Sequence, residues 1–253
     1  MSKNKLKKFD EMRCFGNVYE YPYNVLHEEG GFPWKGEWHE EVFCNDNPIV
    51  LELGCGRGEY TVEMGRRYPD KNFIGVDIKG ARMWSGAKEA LEEDMINVNF
   101  LRTNIELLDH FFMPGEVAEI WITFPDPQMK KCNKRLTGTR FINLYRKILI
   151  NDGAISLKTD SDFLLLYTCA MLRANKLPIL MCIEDLYAQD IPLEELYIKT
   201  NYEKQWLERG LKIHFLSFLC NRQEPLVEPD VEIPPDTYRS YNRGTMRSQT
   251  SPC

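Results

Sequence analysis

Between residues 48 and 219, short apolar runs alternate with segments whose apolar positions recur every three or four residues. "PIVLEL", "NFIGVDI", "VNFL", "VAEIWITF" and "AISLKTD" read as strands, too short and too β-branched for helices. Between them lie four helical patterns. "EYTVEMGRRY" stops before Pro69; "ARMWSGAKEALEE" puts Met83, Ala87, Ala90 and Leu91 on one side. "TRFINLYRKIL" runs into an "NDG" turn, and "DFLLLYTCAMLRANK" follows the fifth strand. A last run, "LKIHFLSFL", reads as a late antiparallel strand at or near the sheet edge. Near-continuous apolar strands alternating with helices predict a mostly parallel sheet covered on both faces, a doubly wound α/β domain.

The flanks differ in texture. Residues 1–47 carry a polar opening (Lys3, Lys5, Lys7, Lys8) and then aromatics with Gly and Pro, which predicts an arm packed on the core. Residues 220–253 are Pro- and charge-rich with little periodicity, and from Arg222 onward they read as a flexible tail. The domain proper is therefore expected over 48–219, and there is no internal repeat.

Composition narrows the class. The chain has 253 residues, 43% of them hydrophobic, enough for a substantial core, and a net charge of −6. That charge argues against non-specific coating of DNA but leaves room for one local basic face. No apolar run approaches the roughly 20 residues of a membrane span, and the basic N-terminus lacks the apolar core of a secretory signal. The 8 cysteines form no C-x-x-C pair, which points to reduced thiols in the cytoplasm and against a metal site or a disulfide framework.

"VLELGCGRGEY" places Glu52, Gly54, Gly56 and Gly58 between the first strand and a helix. Glycines allow a sharp turn and close approach of a ligand to the backbone. The spacing departs from the dinucleotide fingerprint, because the third glycine arrives one residue early and Glu59 would repel a pyrophosphate. No Walker lysine follows. Acidic residues around the loop favour a cationic, phosphate-free ligand, as S-adenosylmethionine is. Asp77, ending the second strand, is placed to accept from ribose hydroxyls, and Asn104, after the third, to read an adenine edge.

In "ITFPDPQMKKCNKRL" the fourth strand ends on Asp126 between two prolines. Proline fixes its own φ and extends its predecessor, so this connector is stiff and holds Asp126 at the edge where open α/β sheets bind ligands. Seven cations and no acid follow between Lys130 and Lys147, a pattern suited to nucleic-acid phosphates. Two further segments have ordinary structural explanations beside any functional one. Asp160 is a natural helix N-cap at the ligand edge, and Thr200-x-x-Glu203 is a capping box. The four histidines form no cluster.

"LELGCGRGEY", "FPDPQMKK…KR" and "TNYE" together resemble the tRNA (guanine-N(7)-)-methyltransferases over about residues 48–219. The resemblance implies a Rossmann-like class I methyltransferase fold with a seven-stranded, mostly parallel sheet. It implies cofactor contacts at Glu52, Gly54, Gly56, Gly58, Asp77 and Asn104, and a catalytic carboxylate at Asp126. It further implies substrate contacts at Lys130, Asp160, Thr200, Tyr202 and Glu203, with Lys131, Lys134 and Arg135 on RNA phosphates. Gln128 stands where the family usually has tryptophan, and Asn104 where it has an acid. The implied reaction is transfer of a methyl group from S-adenosylmethionine to ring nitrogen 7 of a tRNA guanine, by a cytoplasmic monomer or homodimer. Competing readings are an NAD-dependent oxidoreductase, which the glycine spacing opposes, methylation of another base or a small molecule, and a non-catalytic RNA- or protein-binding module.

Overall fold

The structure is a computed structural model that describes residues 3–27, 31–191, 193–221 and 225–237. In chain order it forms α1 (Lys3–Met12), β1 (Val18–Tyr19), α2 (Tyr23–Leu26), β2 (Ile49–Leu53), α3 (Glu59–Arg67), β3 (Asn72–Val76), α4 (Gly80–Glu92) and β4 (Val98–Leu101). There follow α5 (Leu108–Phe111), β5 (Val117–Thr123), α6 (Thr139–Ile148), β6 (Leu149–Thr159), α7 (Asp162–Ala174), β7 (Ile179–Ile183), α8 (Asn201–Leu207) and β8 (His214–Cys220). One sheet runs β1-β4-β3-β2-β5-β6-β8-β7. β8 alone lies antiparallel to its neighbours, inserted between β6 and β7.

This is the doubly wound, mostly parallel architecture expected, with eight strands where seven were implied. Two strands escaped the periodicity. β1 is two residues long, and β7 is an edge strand with most of its apolar residues exposed, so neither carries a core pattern. β6 also starts earlier than "AISLKTD": it runs through the expected "NDG" turn by way of a register shift, with Asp152 at φ 56°. β6 advances five residues between Leu149 and Ala154 while β5 advances two, so three extra residues are accommodated as an enlarged bulge.

Alternation within the buried strands sorts side chains onto two faces. Ile49, Leu51 and Leu53 point with Ile120, Ile122, Ile155 and Leu157 into a core closed by α6 and α7. Val50, Phe73, Phe100, Trp121 and Phe215 point the other way, toward α3 and α4. Glu52, Thr123 and Lys158 continue that second face into positions a simple core pattern would make apolar, and all three are buried.

The N-terminal segment packs on this body through rings. Trp38 is wholly buried, stacks on Phe112 at 5.3 Å and donates its indole N–H to the carbonyl of Phe111 at 2.9 Å. α1 lies on α4, with the Trp84 indole N–H donating to Glu11 at 2.7 Å.

The C-terminal stretch 225–237 differs from a flexible tail. Asp236 is buried and accepts from the Ser161 hydroxyl and the Phe163 N–H at the start of α7. Glu228 accepts from Thr139 at the start of α6 and from the Tyr167 hydroxyl at 2.6 Å. Two carboxylates on two helix N-termini meet free N–H groups and favourable dipole ends, which a reading of low hydrophobicity alone overlooks. Residues 222–224 and 238–253 of the expected tail lie outside the described residues.

Candidate functional site

The carboxyl ends of β2 and β5 and the start of α8 enclose a cavity of about 620 Å³. Glu52, Gly54, Thr123, Phe124, Thr200 and Tyr202 are among its walls, with Arg57, Arg82, Trp206 and Arg209 at the rim. A ligand cleft at the carboxyl edge of an open parallel sheet is where this topology leaves room for one.

The glycine loop turns through three left-handed residues, Gly54, Gly56 and Gly58, at φ 79°, 57° and 76°. They divide the work. A Cβ on Gly54 would stand in open space, so this residue presents bare backbone to the cavity. A Cβ on Gly58 would meet the Phe100 ring at 2.6 Å, and its N–H already donates to the carbonyl of Cys55, so Gly58 serves the packing of α3 and α4. Asp77 sits half-buried under the loop, accepting the Gly56 N–H at 3.0 Å and the Lys79 N–H at 2.8 Å. Each carboxylate oxygen keeps capacity for another donor.

Glu52 forms the floor. It is 5% exposed and accepts from the hydroxyls of Thr61 and of Thr123, the latter at 2.6 Å. Burial outweighs both hydrogen bonds and pushes its carboxyl up to about 7. Beside it Cys55 is buried and its thiol is pushed well above the ordinary value by the same desolvation, which removes it as a nucleophile.

The Asp126 arm is stiff for reasons beyond its prolines. Phe124 has φ 48° and Gln128 φ 47°, left-handed conformations that bulky residues adopt only under constraint. Phe124 is held by its N–H on the carbonyl of Lys158 at 2.8 Å and by its ring against Tyr202 at 5.4 Å. Pro125 and Pro127 are buried, while Asp126 between them is exposed, with one oxygen accepting the Gln128 N–H at 3.0 Å. Lys130, Lys131 and Lys134 follow on the surface.

Several expected contacts fall elsewhere. Arg135 is 7% exposed, stacked over Phe163 and Tyr167 at 4.8 and 4.3 Å, and donates to the Met129 carbonyl at 2.8 Å. It braces the Asp126 arm from inside, a buried position where the resemblance implied a surface contact to RNA phosphate. Arg140 and Lys147 pair on the surface with Glu106 and Asp109, and Arg146 is half-buried and donates to Asn143, so of the seven cations Lys130, Lys131 and Lys134 are the exposed ones that follow Asp126 most closely in the chain. Glu203 is fully buried and bonds to Lys158 and Tyr187, so its carboxylate faces the interior and not the cavity. Its N–H is capped by Thr200 at 3.2 Å, half of the expected capping box. Ser161, not Asp160, caps α7; Asp160 is 3% exposed at the end of β6. Asn104 is exposed and caps a short turn over Ile105–Leu107.

Thr123 in the cavity wall, Thr61 bonded to Glu52, and Lys158 bonded to Glu203 and to the Phe124 N–H also support the site, and no motif singles them out. Asn201 binds Glu59, tying the start of α8 to the start of α3. For Thr123 and Lys158 the available signal is a polar residue at the end of an apolar strand; Thr61, inside α3, carries none. Among the described residues no group of three His, Cys, Asp or Glu could hold a metal ion, and no helix is long and apolar enough to cross a membrane.

The sheet order, the glycine loop and the cavity at the strand ends define an α/β methyltransferase, and residues 46–216 match a family model described as putative methyltransferase. Within that class, the chain belongs to the tRNA (guanine-N(7)-)-methyltransferase family. It is 61% identical to the tRNA (guanine-N(7)-)-methyltransferase of Porphyromonas gingivalis, over 95% of this chain and 100% of that protein. It is 59% identical to that of Bacteroides fragilis, over 96% of each. Among solved structures, the 16S rRNA methyltransferase KamB shares the fold at TM-score 0.55 and 14% identity, covering 71% of this chain and 91% of that one.

Proposed function

We propose that the protein methylates ring nitrogen 7 of a guanine in tRNA, in the variable loop, using S-adenosylmethionine. The observation that carries this reading is the pairing of a buried carboxylate under an open glycine loop with an exposed, rigidly mounted Asp126 and three adjoining lysines.

The residues present fit such a cofactor. Gly54 leaves a bare backbone surface that a side chain would fill, Asp77 keeps acceptor capacity for ribose hydroxyls, and Glu52 supplies negative charge at the floor. S-adenosylmethionine, when bound, supplies an electrophilic methyl group on a sulfonium. A cation held near Glu52 opposes the desolvation that keeps its carboxyl neutral, so the floor is anionic when the site is loaded.

Nitrogen 7 of guanine has an in-plane lone pair and no proton, so no strong base is required. The protein's part is orientation, exclusion of water and proximity. Asp126 accepts from the N–H edge of guanine, which selects it over adenine and offsets positive charge as it develops on the purine. The base leaves its stack to arrive there. Tyr202, against Phe124, offers a ring at the cavity wall, and Lys130, Lys131 and Lys134 take flanking phosphates. This work belongs to the cytoplasm. The test is incubation with methyl-labelled S-adenosylmethionine and bulk tRNA, followed by digestion to nucleosides. Label in 7-methylguanosine is expected; label elsewhere, or none, refutes the reading.

A further inference from the structure

Lys158 is the buried cation that the chemistry above leaves unused. It pairs in register with Thr123 on β5, and its side chain has no exposure, nor has that of Glu203. The ammonium donates to the carbonyls of Leu196 at 3.1 Å and Ile198 at 2.9 Å and to the Glu203 carboxylate at 2.9 Å, which uses all three of its protons. Glu203 also accepts the Tyr187 hydroxyl at 2.6 Å. The main-chain carbonyl of the same lysine holds the N–H of Phe124, the left-handed residue that opens the Asp126 arm. One residue therefore touches both walls of the cavity: the arm through its backbone and α8 through its side chain.

α8 needs such help. Seven residues make a helix too short to hold itself together, yet Asn201, Tyr202, Gln205 and Trp206 all face the cavity. Two buried charges are a poor source of stability, since desolvation offsets their attraction and well-packed apolar residues do as well or better. What an ion pair with fixed donors adds over apolar packing is one defined register. Burial pushes the Lys158 ammonium below its ordinary value even against the attraction of Glu203, so the arrangement is held at a cost.

We infer that Lys158 and Glu203 form a buried post that sets α8 and the Asp126 arm in register across the cavity, and that both are positioning residues for methyl transfer and not substrate contacts. This deepens the proposed function and rests on the cavity being the transfer site.

The test compares Lys158→Met/Glu203→Gln, which removes both charges together, with Tyr187→Phe, which removes one bond to Glu203. Each is measured for cooperative melting, S-adenosylhomocysteine affinity, single-turnover methyl transfer to tRNA and amide exchange of α8. The double variant is expected to melt cooperatively, bind S-adenosylhomocysteine within about twofold of wild type and lose roughly 10²-fold in single-turnover rate, the usual effect of an ångström-scale misplacement. Its α8 amides should exchange faster. Tyr187→Phe should show the same changes to a smaller degree. A wild-type rate in the folded double variant, or unchanged α8 exchange in both variants, overturns the inference. Should the double variant not fold, Tyr187→Phe decides: unchanged α8 exchange and rate overturn it, and faster exchange with a slower rate supports it. If wild-type protein transfers no methyl group to tRNA, the proposed function fails, while α8 exchange still decides whether the post holds the helix.

Discussion

Replacing Glu52 by Gln should make the protein more stable and a poorer cofactor binder, with both effects set by pH. The carboxyl is buried, meets two hydroxyls, and is raised from 4.5 to about 7. The native state therefore holds this proton more tightly than the unfolded chain does. The stabilisation is fully present below about pH 4.5 and is lost as pH rises through about 7. At about 1.36 kcal/mol per pH unit, the loss amounts to about 3 kcal/mol. Glutamine keeps the shape, accepts from one threonine and donates to the other, and carries no charge to desolvate. Urea unfolding of both proteins from pH 4.5 to 8.5 isolates the effect, because distant titrating groups cancel in the difference. The stability of Glu52→Gln relative to wild type should climb by about 3 kcal/mol across that range and level off above pH 8. Binding gives an independent reading. If the anionic floor is what holds the ammonium of S-adenosylhomocysteine, wild-type affinity follows the ionised fraction, about one tenth at pH 6 and nine tenths at pH 8, a gain of about tenfold. The variant should bind more weakly and without that pH dependence. A stability difference that stays flat with pH would refute the reasoning, whatever the variant's activity.

Asp126→Ala should abolish methyl transfer to tRNA while leaving S-adenosylhomocysteine affinity within about twofold, because Asp126 is exposed on its own arm and touches neither the glycine loop nor Glu52; full activity would sink its assignment. Changing Lys130, Lys131 and Lys134 together to Ala should weaken tRNA binding uniformly across sequences and flatten the slope of log affinity against log salt by about 2 to 3. An unaltered salt slope would show that the phosphates lie elsewhere. Arg135→Ala should behave differently, lowering the melting temperature through lost packing on Phe163 and Tyr167; an effect confined to the salt dependence of RNA binding would contradict its interior position. Asp236→Ala removes the acceptor for the Phe163 N–H and the Ser161 hydroxyl at the start of α7 and should cost about 1 kcal/mol in urea unfolding, and no measurable loss would show that this carboxylate does not help hold the C-terminal stretch to α7.

By itself the sequence determined the layout of the domain and the chemistry of its loops. Strand and helix alternation follows from local periodicity, and a glycine loop after the first strand or an aspartate between prolines is readable because its meaning lies in neighbours along the chain. Tertiary structure decided where each charge faces. Arg135 and Glu203 sit in motifs that look like surface chemistry, yet Phe163, Tyr167, Lys158 and Tyr187, distant in sequence, draw them inside. Asp236 and Glu228 lie in a segment of low hydrophobicity that folds back because two helix N-termini await a carboxylate. Local pattern reports which face of an element is apolar. It carries no information on which buried polar group will find its partner across the sheet, and in a low-dielectric interior that pairing governs the outcome.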